Sequence, residues 1–211
     1  MDLHAIYLEF VESAVHTLLY ARGIYPKHIF EQRSKYGLSL WQCRHAEIDA
    51  YVRKVLSNSY QLLLAGVIGS YVVTVYDKDN SICEQIAING EVRGLAMAAG
   101  QRVSTEEQQA LILSSLEVLE TEFQSAILKL KMINDHVPRA LPPEHRWALL
   151  VTTTAPITHE EVSSELRSGN WYADSGQLIE NQPGRARKVA PLKSIRNELI
   201  SLNINATYVS T

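Results

Sequence analysis

The hydrophobic positions of this chain follow a helical period most clearly between residues 104 and 134. Apolar side chains recur there at steps of three or four, which is the spacing of one face of an α-helix. Ser104 and Glu107 have the spacing of a capping box, and Pro138 stops the helix at its other end. The main stripe consists of Ile112, Leu116, Leu119, Phe123, Ile127, Leu130 and Ile133. The pattern predicts a helix of about 30 residues, roughly 45 Å long, as the core of the domain.

Two further helices and four strands are predicted around this helix. Helical stripes cover residues 3–19 and residues 46–64. Strands are predicted from alternating or β-branched runs at residues 70–76, 82–88, 146–154 and 202–208. Residues 24–40 are interpreted as an ordered connection, and residues 89–103 as a loop. Helices and strands therefore both contribute to the predicted fold.

Composition and charge point to one domain without a strong electrostatic field. The chain has 211 residues, of which 46% are hydrophobic, and this is enough for one substantial core. The formal net charge is −3, so strong direct binding to nucleic acid is not expected. The two cysteines are too few for a disulfide scaffold, which favours a reducing compartment. No secretory signal is expected, because the N-terminus lacks a basic region followed by an apolar run. No membrane span is expected, because the most apolar window, residues 62–76, is short and interrupted by glycines.

The sequence lacks the motifs of common catalytic and nucleotide-binding sites. It contains no GxxxxGK or GxGxxG loop and no GxSxG elbow. Cys43, His45 and Glu47 leave a small metal-dependent hydrolase open, because His45 and Glu47 imitate the HxE of zinc deaminases, but the PCxxC of those enzymes is missing. A helix start beside an ordinary buried thiol explains the same residues. We therefore expect no catalytic residues, no metal and no other cofactor.

Residues 18–33 carry the most informative motif. They read LLYARGIYPKHIFEQR and resemble the HORMA-domain accessory subunit of DNA polymerase zeta, in the mitotic-arrest-deficient-2-like family, where a helix ends in an LYxRxxYP stretch followed by IF. Further similarities follow in the family's order at residues 43–47, 72–78 and 126–130, at Trp171 and at residues 191–193. The resemblance extends over residues 10–206, nearly the whole chain.

The resemblance implies an α+β HORMA domain, in which three main helices pack on a mostly antiparallel sheet. Residues 1–211 are then a single domain, with a core over residues 1–154 and a C-terminal safety belt over residues 155–211. In the family, the belt closes over a partner peptide that lies along the sheet. Residues 155–190 suit this role, because they are polar and glycine-containing and precede an alternating strand, so they can close over an extended ligand.

The resemblance also implies a function. The family acts as a non-catalytic adaptor that captures a proline-containing peptide of the polymerase zeta catalytic subunit and bridges it to the scaffold polymerase of translesion synthesis. Relatives also serve in double-strand-break end protection and in cell-cycle control. Partners of these kinds are therefore expected, with a location in the nucleus and cytoplasm. A spindle-checkpoint or meiotic HORMA adaptor is the alternative, and the metal-dependent hydrolase is the distant one.

Two aromatic residues match the pair with which the family grips its peptide. Tyr51 lies on the second predicted helix and Trp171 lies in the belt. Aromatic rings pack well on proline and lose little entropy when they do so. The position of Tyr51 is also that of an ordinary core tyrosine on an apolar helix stripe. A tryptophan in a polar loop, by contrast, has no such structural explanation.

Two departures from the family pattern concern further contacts. The family's surface for the second partner matches Val189, Asn203 and Asn205, and Asn205 stands where the family has an aromatic residue. The resemblance therefore implies that the contact with the second partner is either lost or made by different groups. On the long helix, Gln124 stands where vertebrate-like members place an arginine central to HORMA–HORMA pairing. An amide lacks the charge and the forked donors of arginine, so we expect weak or absent homodimerisation through this face.

Overall fold

Helices and strands are interspersed in a computed structural model of the chain, which describes residues 2–93, 105–138, 140–154 and 186–209, and the side chains of all of these except residues 105–111. The helices are α1 (Leu3–Ala21), α2 (Ala46–Leu64), α3 (Thr105–Lys131) and the single turn α4 (Ile133–His136), and a 3₁₀ turn covers Lys27–Ile29. The strands are β1 (Phe30–Lys35), β2 (Leu38–Cys43), β3 (Ile68–Asp77), β4 (Ile82–Val92), β5 (His145–Thr153), β6 (Arg187–Arg196) and β7 (Ile200–Val209). None of the described helices is long and apolar enough to cross a membrane.

Five strands form one antiparallel sheet in the order β5-β3-β4-β7-β6. Among the described residues, β5 and β6 are the two outer strands of this sheet. β1 and β2 form a separate antiparallel hairpin. The helices pack against the large sheet. The structure therefore confirms the predicted α+β class, with the main helices on a mostly antiparallel sheet.

The first helix, and not the longest one, lies at the centre of the core. Its fully buried apolar side chains are Tyr7, Phe10, Val11, Ala14, Val15, Leu18 and Leu19. By contrast, α3 exposes Leu113, Val118 and Leu128. The structure thus corrects the central place predicted for the long helix. Because α1 is apolar around most of its surface, it is covered on several sides, whereas α3 contributes a single stripe to the core.

Three segments differ from the prediction. Residues 24–40 contain β1 and the start of β2, because Tyr36 (φ 52°) and Gly37 (φ 64°) form the two-residue turn with positive φ that suits a hairpin. β4 continues to Val92, where it still pairs with β7, so residues 89–92 are strand and not the start of the loop predicted at residues 89–103; residues 94–103 lie outside the described residues. β6 is an additional strand. A bulge near its centre breaks the alternation that identifies strands in a sequence.

A buried ion pair ties the end of α1 to the sheet. The guanidinium of Arg22 donates two hydrogen bonds to the carboxylate of Glu84 on β4, from Nη2 at 2.7 Å and from Nε at 2.9 Å. Its Nη1 donates to the side-chain oxygen of Asn134 and, at 3.2 Å, to the carbonyl oxygen of Val137. The side chains of Arg22 and Glu84 are only 4% and 3% exposed. The bidentate geometry therefore satisfies two charges that are costly to bury alone.

Candidate peptide-binding site

The outer edge of β5 is open to a further strand. β5 pairs with β3 on one side, and no strand of the described residues pairs with its other side. Leu149 lies opposite Val73 of β3, but its N–H donates to the hydroxyl oxygen of Tyr51 on α2 at 3.0 Å. The backbone polar groups of Leu149 therefore face outward. Because this orientation alternates along an antiparallel strand, those of Trp147 and Val151 face outward too.

Three aromatic rings lie beside this edge. The rings of Tyr51 and Trp147 meet edge to face, with centroids 5.4 Å apart, and Tyr25 meets Trp147 in the same way at 6.4 Å. The indole Nε1–H of Trp147 donates to the hydroxyl of Tyr25 at 2.8 Å, which fixes the orientation of the indole. Tyr51 remains 39% exposed. These residues, Tyr25, Tyr51 and Trp147, form the edge aromatic cluster, which offers a preorganised apolar surface next to backbone groups that no described strand pairs.

The hydroxyl of Tyr51 stays neutral at physiological pH. Burial raises its pKa above the ordinary tyrosine value, and the hydrogen bond from the Leu149 N–H opposes this rise. A neutral phenol accepts the hydrogen bond from the edge without placing a charge against it. The group therefore acts as a polar cap on the strand and gives no sign of acid–base chemistry.

The residues of the hydrolase alternative do not come together. The ligand atoms of Cys43, His45 and Glu47 do not meet within 4.8 Å of one another, and within the described part of the chain the group that does so is Glu12, His16 and Asp49. Cys43 is buried, whereas His45 and Glu47 are exposed at the start of α2. The alternative of a metal site formed by these three residues therefore has no geometric support.

The second group, Glu12, His16 and Asp49, is an ion-pair cluster. Arg53 places its Nε 3.3 Å from a carboxylate oxygen of Glu12 and 3.0 Å from one of Asp49. The Cys43 N–H points to Nδ1 of His16 at 3.4 Å, so the neutral ring carries its proton on Nε2. A ring nitrogen that carries a proton offers no lone pair to a metal. The guanidinium of Arg53 therefore already pairs with the two carboxylates, and the His16 ring has no free nitrogen to bind a metal.

Burial makes His16 a source of acid sensitivity. The side chain is 2% exposed, and this desolvation, with Arg53 and Lys35 nearby, lowers its pKa from 6.5 to about 4 despite the attraction of Asp49. The unfolded chain therefore binds this proton near pH 6.5, while the folded chain resists it until about pH 4. This contribution to stability is complete above pH 6.5 and decreases as the pH falls towards 4.

We expect the protonation of His16 to lower the free energy of unfolding by about 3 kcal/mol between pH 6.5 and pH 4. Urea denaturation at steps of pH measures this slope, and His16→Gln is expected to flatten it by most of that amount. His4→Gln is the matched control, because His4 lies at the partly exposed start of α1. An unchanged slope in His16→Gln would show that other groups carry the acid sensitivity.

Known proteins resemble this chain along nearly its whole length, although no family model matches it. Over 198 residues it is 27% identical to the mitotic spindle assembly checkpoint protein MAD2B of Gallus gallus, covering 93% of this chain and 86% of that protein. Over 203 residues it is 22% identical to the DNA polymerase zeta processivity subunit of Arabidopsis thaliana, covering 96% of this chain and 84% of that one.

Solved structures share the fold described above. A chain in the crystal structure of the mitotic checkpoint complex aligns with a TM-score of 0.72 and 18% identity, over 97% of both chains. The chain has the fold of the HORMA-domain proteins. Another HORMA protein, C. elegans HTP-2 bound to a HIM-3 closure motif, aligns with a TM-score of 0.63 and 14% identity, over 96% of this chain and 88% of that one.

Tyr51, one of the two residues that match the family's peptide-binding pair, lies at the outer edge of β5, and Trp171 lies outside the described residues. The approach of the two rings to one ligand therefore stays a prediction. The structure adds Trp147 and Tyr25 to the candidate site. Tyr25 belongs to the YP stretch that carries the HORMA resemblance, so a signal for it existed. Trp147 sits in an apolar run, and nothing in the sequence distinguishes it from a core residue.

The three residues matched to the second HORMA partner share one face of the β6–β7 hairpin. Val189 lies opposite Thr207, and the alternating positions Asn203 and Asn205 point to the same side as Thr207. Ile204 and Ala206 point to the opposite side, into the core. Val189 is 64% exposed. The structure thus brings the three residues together, and their contact with a partner stays a prediction.

Gln124 already has a partner within the chain. Its Nε2 donates to the carbonyl oxygen of Tyr36 at 3.1 Å, so the half-buried amide joins α3 to the β1–β2 turn. This contact engages one donor of the side-chain amide within the chain. The expectation of weak or absent homodimerisation through this face stays a prediction.

Proposed function

We propose that this protein is a non-catalytic HORMA adaptor that captures a proline-containing segment of the DNA polymerase zeta catalytic subunit along β5. The observation that carries the proposal is the open β5 edge, whose Leu149 N–H meets the Tyr51 hydroxyl beside Trp147. An extended peptide can add to such an edge through its backbone, while pockets or rings beside the edge select its side chains. The homology to a polymerase zeta processivity subunit supports the choice of partner.

The captured segment is held under the C-terminal part of the chain and is presented to further partners. Residues 1–211 form one domain in which residues 155–211 act as the safety belt, and Trp171 approaches the ligand from the side opposite Tyr51. The shared face of Val189, Asn203 and Asn205 contacts the scaffold polymerase of translesion synthesis, with chemistry altered by Asn205. Proteins of double-strand-break end protection and of cell-cycle control are further partners that bind at the same peptide-binding site. The adaptor works in the nucleus and in the cytoplasm.

Removing either grip ring is expected to weaken capture about thirty-fold, because buried aromatic anchors typically contribute about 2 kcal/mol or more to an interface. Isothermal titration of 20-residue peptides tiled along the polymerase zeta catalytic subunit identifies the segment and measures the loss in Tyr51→Ala and Trp171→Ala. Tyr51→Ala also loses some stability, because its ring packs on Trp147.

Tyr60→Ala is the matched control, since Tyr60 lies on the same helix and its hydroxyl donates to Asp2 rather than to β5. Circular dichroism checks the fold of each variant. Unchanged affinity in both grip variants would mean that Tyr51 is only a packing residue and that Trp171 is not part of the site.

A checkpoint or meiotic adaptor is the second candidate. Two observations favour it: the homology to a mitotic spindle assembly checkpoint protein and the likeness to HTP-2 in its complex with a closure motif. The same titration separates the candidates, because an adaptor of this second kind binds closure-motif peptides more tightly than any peptide of the polymerase subunit.

A further inference from the structure

A small cavity near the end of α1 is lined by positively charged side chains and by no acidic one. It has a volume of about 180 Å³ and lies where α1 meets the 3₁₀ turn, β2 and the end of α3. This cavity, named here the α1–β2 cavity, is lined by Thr17, Tyr20, Ala21, Lys27, Trp41 and Lys131. Lys27 and Lys131 are the charged members of this set, so the cavity attracts an anion.

The two lysines of the α1–β2 cavity have hydrogen-bond donors to spare. Nζ of Lys131 donates to the carbonyl oxygen of Ser39 at 3.2 Å, and Nζ of Lys27 lies 5.8 Å from the centroid of the Tyr20 ring. None of the ion pairs between described residues includes either lysine, although Asp135 follows Lys131 by only four positions. Because an ammonium group has three donors, most of them remain available to a ligand.

A neighbouring cavity differs in how its charges are balanced. Trp41 lines both cavities, but the neighbouring one also contains Glu9 and Glu12. There, Nζ of Lys35 lies 2.9 Å from a carboxylate oxygen of Glu9, and Nε of Arg53 lies 3.3 Å from one of Glu12. These cations are compensated within the chain, whereas those of the α1–β2 cavity are not, even though the formal net charge of the chain is −3.

Aromatic rings give the α1–β2 cavity a fixed wall. The rings of Tyr20 and Trp41 stack, with centroids 4.6 Å apart and an angle of 14° between their planes. Phe30, at the start of β1, meets Tyr20 edge to face at 5.4 Å. Trp41 is half-buried, and its backbone is fixed in β2, where it lies opposite Gln32 of β1. A wall that is held in position before a ligand arrives limits the entropy lost on binding.

We propose that the α1–β2 cavity binds a phosphorylated serine or threonine of a protein partner. A phosphate group carries about −1.5 to −2 charges at pH 7, which the two ammonium groups match, whereas a carboxylate would balance only one of them. Its oxygens accept several charge-assisted hydrogen bonds, which suits the available donors. The rings of Tyr20 and Trp41 offer an apolar surface to the carbon atoms of the bound segment. Nucleic acid is disfavoured, because binding its backbone needs an extended basic surface and this chain has a net negative charge.

The α1–β2 cavity is separate from the candidate peptide-binding site. None of its lining residues lies on α2 or β5, the elements that carry Tyr51 and Leu149. A phosphorylated partner can therefore bind here while a captured peptide occupies β5. Phosphorylation of that partner would control this second contact without changing the first.

Nuclear magnetic resonance of the Trp41 indole N–H measures this binding. The probe is a short end-blocked peptide with one phosphoserine between alanines, and two comparison peptides carry serine or glutamate instead. We expect the Trp41 signal, assigned by its loss in Trp41→Phe, to shift and saturate with the phosphoserine peptide and to stay in place with the serine peptide. The glutamate peptide is expected to bind about five-fold more weakly, because it carries less charge. The Trp147 indole signal is the internal reference, because that N–H donates to Tyr25.

Lys27→Gln and Lys131→Gln are each expected to weaken binding of the phosphoserine peptide about five-fold. Lys129→Gln is the matched control and is expected to leave the affinity unchanged. It removes the same charge from the same helix as Lys131→Gln, but helix residues two positions apart do not face each other.

An unmoved Trp41 signal would overturn the inference, and so would equal losses of affinity in all three lysine variants. A glutamate peptide that binds as tightly as the phosphoserine peptide would overturn the assignment to phosphate. Inorganic phosphate or a duplex oligonucleotide that binds more tightly than the phosphoserine peptide would overturn the assignment to a protein partner. Capture along β5 is measured separately with the tiled peptides, so failure of either proposal is distinguishable from failure of the other.

Discussion

A chain that ends after Thr154 is expected to lose its folded state. The deletion removes β6 and β7, and β7 pairs with β4 from Glu84 to Val92. It also removes apolar side chains that are at most 6% exposed, namely Leu192, Ile195, Leu199, Ile200, Leu202 and Ile204. Each buried aliphatic side chain contributes about 1.5–3 kcal/mol, so their sum reaches the total stability of about 5–15 kcal/mol that is usual for a domain.

Circular dichroism and thermal unfolding measure this effect, with a chain ending at Val209 as the control that keeps both strands. We expect no cooperative transition in the chain ending at Thr154, a full transition in the control, and peptide binding only in the control. A cooperative transition at the wild-type temperature in the shorter chain would show that β6 and β7 add little to the core.

Arg22→Ala is expected to lower the free energy of unfolding by about 3–5 kcal/mol, the usual cost of leaving one partner of a buried ion pair unpaired. Burial already raises the pKa of Glu84, so without Arg22 its carboxyl, which is 3% exposed, must either stay charged without a partner or take up a proton, and Val137 would lose a donor. Because Arg22 also bonds the side-chain oxygen of Asn134, the variant removes one contact between the end of α1 and α4, whereas the hydrogen bond from Asn134 Nδ2 to the Ala21 carbonyl oxygen remains.

Urea denaturation measures the loss, and Arg33→Ala is the control. Arg33 also pairs with a glutamate, Glu31, but it is 63% exposed, and such surface pairs contribute about 0–1 kcal/mol. The double variant Arg22→Met with Glu84→Leu is expected to recover much of the stability, because it removes both buried charges together. Equal losses in Arg22→Ala and Arg33→Ala would contradict the role assigned to the buried pair.

Elements with a strong period and a clear boundary could be predicted from the sequence. The predicted helix at residues 46–64 agrees with the observed α2, because its apolar stripe is regular and a Leu-Ala-Gly sequence follows it. In that sequence, Gly66 adopts a φ of +69°, the left-handed conformation that typically ends a helix. The strands β3 and β5 were predicted from runs rich in β-branched residues, and β7 was predicted from the alternation of Leu202, Ile204, Ala206 and Tyr208.

The missed strands have little to bury. β1 exposes Glu31, Gln32, Arg33 and Ser34 to varying degrees, and β6 exposes Lys188 and Val189, so neither shows the alternation that the prediction relies on. The turn at Tyr36 and Gly37 was the available signal for the first hairpin. At the edge of a sheet, pairing with a neighbour stabilises a strand whose side chains alone would not specify it.

The candidate site shows a different limit of sequence analysis. Tyr51 was identified through resemblance alone, since its helical spacing fits a core position as well. Its contact with Leu149 joins residues that are 98 positions apart in the chain. Such a contact follows from the packing of α2 beside β5, and no local pattern encodes it. The same reason explains why Trp147 was not identified.

Amide hydrogen exchange along β5, with and without the captured peptide, tests the central claim most directly. Strand addition predicts that exchange slows at Trp147 and Val151, whose N–H groups face the open edge, and changes little at Ala148 and Leu150, whose N–H groups already face β3. Slowing at the outer edge of β6 without any change at Trp147 and Val151 would contradict the proposed site.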